Sequence, residues 1–70
     1  MELPAQKEQV LYIQRRLQAG GYKIKADGKF GKESRRLARD YLAKAGQSVA
    51  DDTAVEDYYR AFLQLEEAGY

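Results

Sequence analysis

Six cations, Lys23, Lys25, Lys29, Lys32, Arg35 and Arg39, fall within one short stretch of the chain. Lysine and arginine hold carboxylates and other anions through charge-assisted hydrogen bonds. Tyr22 stands at the head of that stretch, and its flat ring with a polar tip suits a sugar face. Catalytic chemistry has less to work with. The chain has no histidine and no cysteine, which removes imidazole acid–base steps, thiolate nucleophiles, disulfides and the common zinc sites. Glycoside hydrolysis needs two carboxyl groups facing across a cleft, one with a raised pKa. Asp51-Asp52 and Glu66-Glu67 are neighbours in sequence, so their side chains diverge. The expectation is a binding protein and not an enzyme, with no metal and no cofactor.

The charges are unevenly laid out. Arg15 to Lys44 holds ten Lys/Arg against three Asp/Glu, whereas Ala45 to Tyr70 holds one Arg against six acids. Such asymmetry fits either a surface for an anionic partner or a self-complementary fold. Seventy residues make a single domain, 1–70, with a small core. The apolar runs are too short for a transmembrane helix, so no membrane partner is expected. Met1-Glu2-Leu3-Pro4 does not begin a secretory signal, so work in the cell envelope would require an exported parent chain or another route.

The elements that must position these residues are helices. The first is expected from Pro4, with Val10, Ile13 and Leu17 on one face, to a stop at Gly20-Gly21. Tyr22 to Gly31 reads as a structured loop turning at Asp27-Gly28, with Ile24 and Phe30 tucked inward; Lys23 to Ala26 is too short to insist on a strand. A second helix spans about Lys32 to Ala45, burying Ser34, Leu37, Ala38, Tyr41 and Ala45, with Lys32, Arg35, Arg36 and Arg39 roughly opposite. Its first turn, Gly31 to Glu33, offers free N–H groups to an anion. A third opens on a capping box, Thr53-Ala54-Val55-Glu56, and buries Val55, Tyr58, Tyr59, Phe62 and Leu65. Tyr12 is expected to face away from the first helix's apolar side. The fold class is therefore all-α, a small three-helix bundle with a structured Asp-Gly loop between helices one and two.

The order Val10-x-x-Ile13-Gln14-x-x-Leu17, Gly21-Tyr22, Asp27-Gly28-Lys29-Phe30-Gly31 and Ser34-x-x-Leu37-Ala38 resembles the peptidoglycan-binding domain family, most closely over residues 10–42. The family's late aromatic–glutamine pair reads Tyr41-Leu42 here, and its second Asp-Gly loop has no counterpart in Gln47–Asp52. The resemblance implies a non-catalytic module of bacterial or phage origin that anchors a catalytic domain to the cell wall. Its partners would be the stem peptide and glycan of peptidoglycan. The implied ligand-binding set is Tyr22, Lys23, Lys25, Lys29, Lys32, Arg35 and Arg39. The implied structural motif is Gln14, Gly21, Asp27, Gly28, Phe30 and Gly31.

Each feature has a plainer reading. Gln14 can be an amide tying helix to loop, and Asp27 can cap loop N–H groups. The basic stripe can be a solvated face balanced by the acidic third helix. Two other functions stay open: docking of a protein partner on the third helix, and nucleic-acid binding. The second is disfavoured by a long connector and a net charge of only +1.

Overall fold

The computed structural model describes residues 3–50 and 52–69. Asp51 and Tyr70, read from sequence as half of an acidic pair and as a frayed end, lie outside the described residues. Three helices follow in order, α1 (Gln6–Ala19), α2 (Lys32–Lys44) and α3 (Val55–Glu67), with no strand among the described residues. The chain is an all-α three-helix bundle. Its radius of gyration of 10.9 Å is close to the ~11 Å expected for a compact chain of this length.

The two long connectors begin in the same way. Gly21 and Gly46 both take positive φ. After α1, the N–H of Tyr22 reaches the Leu17 carbonyl and that of Gly21 reaches Gln18. After α2, Gln47 reaches Leu42 and Gly46 reaches Ala43. This pairing satisfies carbonyls that the end of a helix leaves open, and it needs a residue tolerant of the left-handed region.

The helix starts differ from expectation. α1 begins at Gln6 and not at Pro4, because Ala5 is the extended residue before it. The Gln9 side-chain amide donates to the Pro4 carbonyl at 2.8 Å and holds that approach in place. The capping box at Thr53 does not form; Ala54 is the N-cap and makes no side-chain cap bond. The Thr53 carbonyl accepts from the Arg35 guanidinium, and the first intrahelical acceptor is the Ala54 carbonyl, bonded by the N–H groups of Asp57 and Tyr58. Glu56 instead pairs with Arg60 at 2.6 Å along the exposed face.

The core consists of Ile13 and Leu17 from α1, Ala38, Tyr41 and Leu42 from α2, and Tyr58, Phe62 and Leu65 from α3. Tyr41 stacks on Phe62 with centroids 4.9 Å apart and the planes only 15° from parallel. The buried face of α2 is turned from the predicted one: Leu42 is fully buried, whereas Leu37 is only half-buried. The face therefore centres on Ser34, Ala38, Tyr41 and Leu42.

Tyr12 does not face away from the bundle. It meets Tyr59 edge-on, centroids 5.3 Å apart, and its hydroxyl donates to Glu66 at 2.7 Å. α3 is long enough to run along this flank of α1, which it contacts more than α2 does. Partial burial, then the bond to the Glu66 carboxylate, pushes the Tyr12 phenol up to about 12. A phenol whose pKa is raised by folding contributes stability below the unfolded value of ~10 and loses it as pH climbs toward the folded value. Between about pH 10 and 12 the native state should therefore weaken through Tyr12. Tyr12→Phe should show a shallower alkaline fall in urea midpoint than wild type. Identical alkaline limbs would remove Tyr12 as the cause.

Candidate functional site

Gln14 organises the region. It is only 1% exposed. Its amide nitrogen lies 2.9 Å from the Lys29 carbonyl, 3.1 Å from Asp27 Oδ1 and 3.3 Å from Ser34 Oγ. Its amide oxygen accepts the Gly28 N–H at 3.0 Å. Asp27 Oδ1 also accepts the Lys29 N–H at 2.9 Å, an Asx turn that closes the loop on itself. That backbone bond, followed by the Gln14 amide, holds the Asp27 carboxyl below the usual carboxylate range. Helix α1, the loop and the first turn of α2 are thus joined in one hydrogen-bonded knot. Two further glutamines on α1 act alike. Gln9 holds Pro4, and Gln18 donates to the Ile24 carbonyl at 2.7 Å. Sequence reasoning singled out Gln14 alone.

The motif glycines separate. Gly28 has φ +77°, and a Cβ there would sit 2.9 Å from Lys7 Cγ. Gly31, by contrast, is the N-cap of α2 at φ −90°, with nothing within 4 Å of a notional Cβ. Gly31, although it belongs to the implied structural motif, has no backbone or steric need for glycine: an ordinary residue fits there.

The cations do not gather at one place: Lys23, Lys25 and Lys29 lie on the loop and Lys32, Arg35 and Arg39 on α2. Lys23 and Lys25 line an open hollow of about 590 Å³ with Gln14, Asp27, Glu33 and Ser34. Lys29 and Arg35 lie beyond the loop, in a hollow of about 530 Å³ that also contains Lys7, Phe30 and Val55. Tyr22 belongs to a third, of about 360 Å³, with Arg16, Tyr41 and Lys44. Arg39 lines a fourth with residues 46–49, and Lys32 is exposed on the first turn of α2. Lys7, Arg16 and Lys44 were not picked out as binding residues in sequence, since they lie outside the stretch from Lys23 to Arg39.

Arg35 is no free surface charge. Its guanidinium carbon stands 5.2 Å from the centre of the Phe30 ring and 5.6 Å from that of Tyr58, while the group donates to the Thr53 carbonyl. Cation–π contact of this kind is stabilising when partly desolvated. Arg35 therefore fastens the loop, α2 and the approach to α3. The stripe is not uniformly solvated, because Arg35 and Arg39 are half-buried while Lys32 and Arg36 are exposed.

Around Tyr22 the arrangement is also fixed. Its hydroxyl donates to Asp40 Oδ2 at 2.6 Å, and the same oxygen takes the Lys44 ammonium at 3.3 Å. That ammonium stands 5.3 Å from the centre of the Tyr22 ring. The Tyr22 phenol, followed by Lys44, holds Asp40 below the ordinary carboxylate range. No family model, no curated protein and no solved structure matches this chain. The chemistry of the surface is thus the ground for a functional reading, beside the sequence resemblance.

Proposed function

We propose that the chain is a non-catalytic peptidoglycan-binding module, and that the hollow bearing Lys23 and Lys25 receives the stem peptide. The observation that carries the reading is the knot. Gln14, Asp27, Gly28, Lys29 and Ser34, all within the resemblance to the peptidoglycan-binding domain family, are bonded to one another directly. A cluster that spends its polar groups on the fold also fixes a rim, and the rim is where a ligand is met. Lys23 and Lys25 are exposed there, with Asp27 and Glu33 in the same lining. Two ammonium groups and two carboxylates suit a peptide that carries both charges. An open hollow of this kind binds weakly, and the repeating wall strengthens attachment through valency.

Lys23→Glu combined with Lys25→Glu tests this without touching the fold. Co-sedimentation with purified sacculi should fall at least about tenfold, equivalent to about 1.4 kcal/mol, while the melt stays near wild type. Arg35 is the wrong residue for this purpose, since reversing it breaks the contacts to Phe30, Tyr58 and Thr53. Equal sedimentation of the reversed variant would reject the hollow. A wild-type protein that ignores sacculi but binds duplex DNA with a steep salt dependence would move the assignment to nucleic acid.

A further inference from the structure

Asp27 is the one aspartate followed by glycine, and the chain contains no asparagine. That dipeptide carries a reaction of its own. The backbone nitrogen of the second residue attacks the side-chain carboxyl of the first, and glycine, lacking a Cβ, leaves the approach unhindered. A C–N bond forms, the carboxyl loses its hydroxyl and the nitrogen its proton, together as water, and a five-membered succinimide remains. Water then opens the ring. Addition at the side-chain carbonyl restores aspartate; addition at the backbone carbonyl leaves isoaspartate, with the chain running on through Cβ and Cγ. The water lost is regained, so the mass is unchanged and no co-reactant is consumed.

Burial does not shield Asp27, which is exposed to water. Hydrogen bonds restrain it instead. The Gly28 N–H, whose proton must leave for the nitrogen to attack, donates to Gln14 Oε1 at 3.0 Å. Asp27 Oδ1 is turned past Gly28 onto the Lys29 N–H at 2.9 Å and lies 3.1 Å from Gln14 Nε2. The Lys29 bond, then the Gln14 amide, hold this carboxyl below the usual range, which thins the protonated form that sheds water. Both reacting groups are thus engaged elsewhere, and Gln14, itself buried, takes part at each.

We propose that Asp27-Gly28 is a site of spontaneous isoaspartate formation held shut by the Gln14 amide, and that local opening of the knot, not unfolding of the bundle, sets its rate. Native proteins open locally at lower cost than they unfold. The knot's bonds join α1, the loop and α2 and none involves α3, so the loop can lift while the core stays packed. The product does not close again. An added backbone methylene takes the carboxylate away from Gln14 and the Lys29 N–H, so the converted fraction records the time the loop has spent open. The proposal is independent of the ligand assigned above.

The test is to age the protein at neutral pH, digest it and map the fragments by chromatography and mass spectrometry. The isoaspartate fragment elutes apart at the same mass. Folded wild type should convert at least about tenfold more slowly than the same chain in urea. Ser34→Ala removes a hydroxyl that contacts Gln14 Nε2 at 3.3 Å and the Lys29 carbonyl at 3.4 Å. It should speed conversion about threefold, the scale of one weak hydrogen bond. Leu42→Val trims a fully buried core residue near the end of α2 that makes none of the knot's bonds. It should lower the melt and leave conversion unchanged. Hydrogen exchange at the Gly28 amide should follow conversion, faster in Ser34→Ala and unmoved in Leu42→Val. Equal rates in the folded and urea-treated chain, no acceleration in Ser34→Ala, or an equal acceleration in Leu42→Val would each overturn the proposal.

Discussion

Gln14→Leu is expected to destabilise the domain by about 3 kcal/mol, because a buried group left without its partner loses ~1–3 kcal/mol and this change strips partners from two. The Gly28 N–H loses its acceptor, and the Lys29 carbonyl keeps only the longer bond from Ser34 Oγ at 3.4 Å. Leucine is close in size to glutamine, so the loss reflects polar bonds and not a cavity. A domain of 70 residues has a margin of only about 3–5 kcal/mol, so much of the variant should be unfolded in water. Urea titration followed by circular dichroism reads the change directly. A midpoint within error of wild type would mean that water replaces the amide without loss and that the knot does not hold the loop.

Gly28→Val should cost about 3 kcal/mol, combining a β-branched residue at positive φ with a steric collision. The collision is with the Lys7 side chain, 2.9 Å from the new Cβ at its Cγ and 3.3 Å at its Cε. Lys7 can swing away, so the backbone conformation is the larger share. Gly31→Ser is the matched control. Gly31 has neither positive φ nor a neighbour within 4 Å, and serine is a favourable N-cap. Thermal melts should place the serine variant at or above wild type and the valine variant well below. Equal losses at the two glycines would contradict the loop geometry.

The helices were legible in sequence because apolar spacing along one helix is a local property. Val10, Ile13 and Leu17 repeat on one face and are buried there. The Gln14 tie was legible too, since an amide at the edge of an apolar face has few partners other than backbone. Arg35 was not legible. Its partners, Phe30, Tyr58 and Thr53, come from two other segments, and nothing in the spacing of the α2 cations marks one of them as a clamp. The lost capping box was not legible either, because Thr53-Ala54-Val55-Glu56 satisfies the local rule while the helix opens one residue later, with Ala54 as its N-cap. The dispersal of the seven candidate binding residues has a similar origin. Tyr22 and Lys23 are adjacent in sequence yet line different hollows.

The Gln14 amide has a consequence that concerns redox chemistry. A small domain commonly secures a long connector with a cystine, and that bond survives only in an oxidising compartment. Here a side-chain amide on α1 joins the loop and α2 in a chain without cysteine. Reductants leave such a fastening untouched, and thiol exchange cannot rearrange it. Folding can therefore proceed unaltered in reducing and in oxidising surroundings, with no disulfide to form or reshuffle.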